Sequence, residues 1–131
     1  MISAIRETRE RKGWDVRVSV QVGTVKAAKE AAGQGADILV VQGVDGGGHQ
    51  WAQGASALVL VPEVKDLLSN IGKADEVAVV AAGGIVDGRG CVAALGLGKL
   101  LPSYSTVLVL SSKRKIFLCH FCVLLLTRCW I

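Results

Sequence analysis

The first 98 residues repeat one pattern, in which a short apolar run is followed by glycine and then by a segment of helical character. In the first run, residues 16–22, valine alternates with polar residues, and this period of two predicts a β-strand with one apolar face. The runs at 37–42 and 77–82 are almost continuously apolar, which predicts strands buried on both faces. A helix between two strands makes them parallel neighbours, so the pattern predicts an α/β fold with a parallel sheet.

The helical segments of the first half have recognisable ends. Gly13 is placed to end a helix predicted over residues 5–12. Thr24 can cap a second helix over residues 25–34, between the first two strands. Strand, ten-residue helix and strand form a βαβ unit, for which a right-handed crossover is expected.

The pattern continues after a glycine-rich loop. Pro62 lies near the start of a helix that reaches about residue 71, while residues 55–61 fit either a short strand or an early helical turn. Asp87 or its neighbours begin a last helix that reaches about residue 97. Repeated βα units occur in open doubly wound sheets and in (β/α)8 barrels, and a barrel needs about 250 residues. The three predicted strands therefore make at most a fragment of such a barrel.

The charge of the chain is unevenly distributed. The formal net charge is +4, in a chain that is 51% hydrophobic and 20% charged. Residues 1–98 carry 10 basic and 11 acidic side chains, whereas residues 99–131 carry five basic side chains and no acidic one. Because the positive excess comes from one short segment, it does not indicate a nucleic-acid-binding face.

The composition changes near residue 98. All 16 glycines lie at or before Gly98, and three of the four cysteines fall in the last 13 residues. We therefore divide the chain into a barrel segment, residues 1–98, and a divergent basic and apolar tail, residues 99–131, which we expect to be unrelated to the first part.

The sequence predicts no membrane segment and no metal site. The longest apolar stretch of the tail, residues 116–126, has eleven residues, and a bilayer-spanning helix needs about 20. Cys119 and Cys122 form a CxxC, but the chain offers no second pair of ligands at zinc spacing. The first 15 residues are charged and lack the apolar core of a secretory signal, so we expect a cytoplasmic protein with reduced thiols.

Three segments fall at the carboxyl ends of the predicted strands, where parallel α/β folds bind ligands: residues 21–24, 42–49 and 82–90. His49 places an imidazole in the second segment, after three glycines that allow close approach of the backbone to a ligand. Gly83 and Gly84 can present backbone N–H groups to a phosphate. Each feature also fits a plain structural role, as a flexible loop, a surface histidine or a tight βα connection.

Together the motifs resemble a known family. The runs VQVGTVKAAKEAAGQGADILVVQGVDGGGH, LVPEVKDLL and VAVVAAGGIVDGRGCVAALGLG are similar to the flavin-dependent nitronate monooxygenases, over about residues 14–98. The combination QGxxxGGH, followed 35 residues after its histidine by the second glycine of AAGGI, carries the resemblance.

The resemblance implies a TIM barrel that holds FMN at the carboxyl ends of its strands. It places Gln42, Gly47 and Gly48 at the flavin and Gly83 with Gly84 at its phosphate. It makes His49 the base that takes a proton from the carbon next to the nitro group of a nitroalkane. Nitronates or nitroalkanes and molecular oxygen would be the substrates, with a carbonyl compound and nitrite as products and no nucleic-acid or membrane partner.

The chain also departs from the family pattern. Family members have further strands before this segment, and residues from Lys99 onward do not resemble the strand that follows LGLG in the family. Two alternatives therefore stay open: a flavin-dependent enoyl-thioester reductase of the same fold, and a non-catalytic fragment. Nitrite release and NAD(P)H oxidation with an enoyl thioester would distinguish the two enzymes, and the sequence does not indicate an oligomeric state.

Overall fold

The computed structural model of the chain describes residues 1–47 and 51–97, and the backbone of residues 107–110. Helices and strands alternate along it. In chain order they are α1 (Ile2–Lys12), β1 (Ser19–Val22), α2 (Val25–Gly33), β2 (Ile38–Gln42), α3 (Ala57–Asn70), β3 (Ala78–Ala82), α4 (Gly88–Leu97) and β4 (Val107–Leu110). The predicted α/β class and its repeated βα units are confirmed.

The strands form a parallel sheet in the order β1-β2-β3-β4. The register places Gln21 beside Val40 and Val41 beside Ala81. The sheet has one strand more than the three predicted, because β4 lies in the segment that its composition assigned to the tail. Four apolar residues are too few to show the period of a strand, so the sequence did not predict β4. It is recognised only from its pairing with β3. The domain boundary at residue 98 stays a prediction.

The ambiguous segment 55–61 is the start of α3. The Ser56 hydroxyl accepts a hydrogen bond from the Leu58 amide at 3.3 Å and so caps the first turn. Pro62 lies inside the helix and removes the N–H that would donate to the carbonyl of Leu58. Leu58 is exposed, so water can reach this end of the helix. None of the helices in the described part of the chain combines the length and apolar character needed to span a bilayer.

One face of the sheet packs against the helices. Alternate strand residues meet helices α2, α3 and α4 there, and side chains on both sides of this contact are almost fully buried. The small alanines of α2 allow a close approach to the sheet. The fully buried members with large side chains are Val22, Leu39, Val41, Leu60, Val61, Val64, Leu68 and Val79.

The opposite face of the sheet carries the intervening residues. It includes Gln21 and Gln42 near the carboxyl ends of β1 and β2, and Val80 in β3. In a closed barrel this face lines the interior.

The amino ends of the strands are held by an ion pair. The Arg9 guanidinium of α1 donates to both carboxylate oxygens of Asp37, at 3.0 and 2.9 Å, and the Val18 amide donates to the same carboxylate at 2.7 Å. Burial opposes the ionisation of Asp37, but the hydrogen bonds from Val18 and Arg9 outweigh it and lower the pKa of the carboxyl. This contact attaches α1 to the sheet at the end opposite the strand-end loops.

Candidate functional site

The carboxyl ends of β1, β2 and β3 bring together most of the residues predicted for the site. Gln42 is the last residue of β2, and the loop that follows it folds toward β3. Gly83 and Gly84 follow β3 directly. The same edge of the sheet therefore carries four of the predicted site residues: Gln42, Gly47, Gly83 and Gly84.

Hydrogen bonds join the ends of β1 and β2. The Gln21 side-chain amide donates to Oε1 of Gln42, and Nε2 of Gln42 donates to the carbonyl oxygen of Gly47 at 3.3 Å. Gln42 is thus held from both sides, by a strand neighbour and by its own loop. Gln21 lies in a segment predicted to face the ligand, but no role was predicted for its side chain.

Two glycine turns pack backbone against backbone. The Gly43 amide donates to the carbonyl oxygen of Ala82 at 2.9 Å. A Cβ at Gly83 would lie 3.0 Å from the carbonyl oxygen of Gly43 and 3.0 Å from the amide nitrogen of Gly46. Gly83 and Gly84 have φ angles of 104° and 69°, which L side chains rarely adopt. These positions require glycine, and the reason is close approach of the two loops.

Asp45 fixes the loop between the two strand ends. Its Oδ2 accepts hydrogen bonds from the Ser56 hydroxyl at 2.9 Å and from the Ala57 amide at 3.0 Å. A Cβ at Gly84 would lie 2.9 Å from the Cβ of Asp45. Sequence reasoning missed Asp45, although an acidic residue that satisfies amides at a helix start is a known capping arrangement.

Trp51 holds the far side of the same loop. A Cβ at Gly23, directly after β1, would overlap the indole ring of Trp51. The Gly54 amide donates to the carbonyl oxygen of Trp51 at 3.0 Å and closes a turn there. Sequence reasoning missed Trp51, because its contact with Gly23 spans two elements. The loop is therefore held at Gly47 and again at Trp51.

Gly48 and His49 lie outside the described residues. The predictions that Gly48 contacts the flavin and that His49 is the base remain predictions.

Helix α4 carries its own cap. The Asp87 carboxylate accepts hydrogen bonds from the amides of Arg89 at 3.0 Å and Gly90 at 3.1 Å. Because a protein carboxylate already occupies these N–H groups, the first turn of α4 is a poor phosphate site. The Gly83–Gly84 turn is the better candidate, since its backbone is free of side chains.

A cleft of about 410 Å³ opens beside this turn. It lies between the start of α3, helix α4 and the end of β3, and its walls include Asp45, Leu58, Gly84 and Leu97. No atom of the described residues lies within 4 Å of a Cβ added at Gly47, so this part of the chain leaves the backbone there open to a ligand. The glycine backbone of the Gly83–Gly84 turn borders this cleft and fits a phosphate. Gln42 and Gly47 are not among the cleft's walls; they lie at the same sheet edge, where the Gln42 amide fits the polar ring edge of a flavin nucleotide.

Three known proteins resemble this chain in sequence or in structure. A nitronate monooxygenase from Neurospora crassa is 60% identical over 81 residues, which is 62% of this chain and 21% of that protein. A nitroalkane oxidase from Streptomyces ansochromogenes superposes with a TM-score of 0.62 at 26% identity, over 83% of this chain and 30% of that one. FabK from Thermotoga maritima, as a variant, superposes with a TM-score of 0.60 at 30% identity, over 82% of this chain and 31% of that one.

These solved neighbours are TIM-barrel flavoenzymes, so the chain corresponds to part of such a barrel. It spans between about a fifth and just over a quarter of the curated nitronate monooxygenases it matches, with 21% and 28% of their lengths covered. The sequence pattern of the nitronate monooxygenase family matches residues 5–113. The chain therefore belongs to the nitronate monooxygenase family, whose members are flavin-dependent oxidoreductases.

Proposed function

We propose that this chain carries the flavin-binding and proton-abstracting segment of an FMN-dependent nitronate monooxygenase. The reaction oxidises a nitronate or nitroalkane with molecular oxygen and yields a carbonyl compound and nitrite. The observation that carries the proposal is the convergence of Gln42, Gly47, Gly83 and Gly84 at one edge of the sheet, in a chain of this family.

The cofactor assignment follows from the chemistry of these residues. Gly83 and Gly84 would offer backbone N–H groups to the phosphate, since glycine has no side chain and tolerates the positive φ angles of this turn. The Gln42 amide would bind the polar edge of the ring, and Gly47 with Gly48 would let the backbone approach it closely. FMN, when bound, supplies the electron transfer that amino-acid side chains cannot perform.

His49 would act as the general base. Its imidazole takes the proton from the carbon next to the nitro group, and the electron pair of the broken C–H bond moves onto the nitro oxygens. A nitronate substrate is already deprotonated and does not need this step. Gly47 and Trp51, the described residues on either side of His49 in the sequence, lie near the strand ends, and this supports the proposed role.

The proposal includes the compartment and the extent of the active segment. The cytoplasmic location is part of the proposal; among the described residues, Cys91 is a buried free cysteine. We keep the boundary near residue 98 as part of the proposal, with the site built from residues before it. Relatives are several times longer, so other parts of their barrels would complete the substrate pocket.

A second candidate function is a flavin-dependent enoyl-thioester reductase. The likeness to FabK, at 30% identity over 82% of this chain, favours keeping this candidate. The two activities are separated by their products. Nitrite formed from a nitronate supports the first, whereas NAD(P)H oxidation that depends on an enoyl thioester supports the second.

The deciding experiment compares two histidine variants of the full chain, supplied with FMN. With a neutral nitroalkane we expect His49→Ala to lower nitrite release at least about a hundredfold, since a general base contributes about 10²–10⁴. His120→Ala, the other histidine of the chain, is the matched control and should retain full turnover. With a preformed nitronate, His49→Ala should lose far less.

Equal loss in both variants, or none in His49→Ala, would contradict the role of His49. A chain that binds no flavin and releases no nitrite would instead support the non-catalytic fragment.

A further inference from the structure

Gln21 lies at the carboxyl end of β1 on the sheet face opposite the helices. Its strand partner is Val40, and Gln42 lies two residues further along β2, on the same face. This diagonal separation is within reach of long side chains. Gln21 is exposed and lies outside the apolar core.

The two glutamines form a directed chain of hydrogen bonds. The Gln21 amide donates to Oε1 of Gln42, and Nε2 of Gln42 donates to the Gly47 carbonyl. A primary amide has one oxygen and two N–H groups, so the bond from Gln21 determines which end of Gln42 faces β1. The nitrogen of Gln42 is thereby directed toward the loop, where its second N–H can serve a further acceptor.

We propose that Gln21 is a positioning residue for the flavin site, acting through Gln42. It fixes the side-chain amide of Gln42 in the orientation that offers an N–H group to the ligand and holds Gly47 in place. This inference rests on the proposed function, because the ligand in question is FMN. It goes beyond that proposal by assigning a role to a residue of a different strand.

A purely structural role would look different. Gln21 contributes no buried apolar surface, so its replacement should leave the folded state largely intact. If it acts through Gln42, its effect on FMN binding must vanish when Gln42 is absent. A double-substitution cycle isolates this dependence.

The experiment measures FMN dissociation constants of the full chain by quenching of FMN fluorescence. Gln21→Leu keeps the approximate volume but removes the donor, and we expect about three- to tenfold weaker binding, the effect of one neutral hydrogen bond. Ser19→Ala, on the same strand and face, is the matched control and should change binding less than about twofold. In a Gln42→Leu background, Gln21→Leu should change binding less than about twofold.

Two further measurements check that the effect comes from the missing donor at Gln21 and acts on Gln42. Gln21→Glu keeps the length but replaces the donor by a carboxylate, so it should also weaken FMN binding, with circular dichroism confirming that each variant is folded. In the flavin-free chain labelled with ¹⁵N, the side-chain amide signals of Gln42 should shift in Gln21→Leu and stay unchanged in Ser19→Ala.

The outcomes separate the inference from the proposed function. Equal FMN binding by the wild-type chain and Gln21→Leu would overturn the inference and leave the flavin site standing. The same would follow from an equal loss in both backgrounds, or from Gln42 signals that do not respond to Gln21→Leu. A wild-type chain that binds no FMN would overturn the proposed function, and this inference with it.

Discussion

At the scale of single residues, the candidate site depends on glycines that let the backbones of two loops come into close contact. Gly83 has a φ of 104°, and a Cβ there would press on the loop after β2. The motif already indicated glycines at these positions, and the structure supplies the physical reason. Asp45, Gln21 and Trp51 were not predicted, because their partners lie in other elements and no local pattern indicates such pairing.

Asp45 gives a prediction about the stability of this loop. Asp45→Ala removes the acceptor for the Ser56 hydroxyl and the Ala57 amide, so we expect a loss of about 1–2 kcal/mol in the free energy of unfolding. Asp45→Asn should lose less, because its amide oxygen can still accept. Urea denaturation of the full chain measures both, with Asp66→Ala, on the exposed side of α3, as a control expected to change little. A loss no larger than that of the control would contradict the capping role.

At the scale of elements, the sequence predicted the second and third strands closely and the start of the first strand less accurately. The predicted strands at 37–42 and 77–82 match Ile38–Gln42 and Ala78–Ala82 to within one residue. The first strand is shorter than the valine alternation suggested, because ladder pairing begins only where Ser19 meets Ile38. Strand β4 was missed, since a run of four residues becomes a strand only through its neighbour.

The attachment of α1 to the sheet gives a prediction about pH. The pKa of Asp37 lies below its ordinary value of 3.8, so the folded state binds this proton less readily than the unfolded state. Its stabilisation is therefore complete above about pH 4 and is lost as the pH falls through the lowered pKa. At pH 7, Asp37→Asn should cost about 2 kcal/mol, because it weakens a partly buried ion pair with Arg9.

The measurement is the difference in unfolding free energy between wild type and Asp37→Asn, followed from pH 7 to about pH 2. We expect this difference to shrink as Asp37 of the wild type becomes protonated. Asp15→Asn is the control, because Asp15 is 96% exposed and its ion pair with Arg17 is long, at 3.8 Å. A difference between wild type and Asp37→Asn that stays constant over this pH range would show that the charge of Asp37 does not stabilise the fold.

At the scale of the whole molecule, the motifs predicted the family and the α/β class correctly. The motifs QGxxxGGH and AAGGI lie at the ends of two successive strands. The number of residues between them is therefore set by the fold, and this is why their spacing indicated the family. The described part of the chain has four parallel strands, half the number in a (β/α)8 barrel. The remaining helices and strands of the relatives' barrels have no counterpart in this sequence. The substrate pocket could therefore not be predicted from it.

The central claim is that the strand-end residues of this chain form a flavin site, and its FMN content tests this most directly. The full chain is reconstituted with FMN, freed of excess ligand and assayed by visible absorbance after release of the cofactor. We predict close to one FMN per chain for the wild type and much less for Gly84→Ala, whose Cβ would lie 2.9 Å from that of Asp45 at a φ of 69°. Gly33→Ala, where an added Cβ meets no atom of the described residues within 4 Å, should retain the wild-type content. No FMN in the wild type, or equal FMN in Gly84→Ala, would contradict the claim.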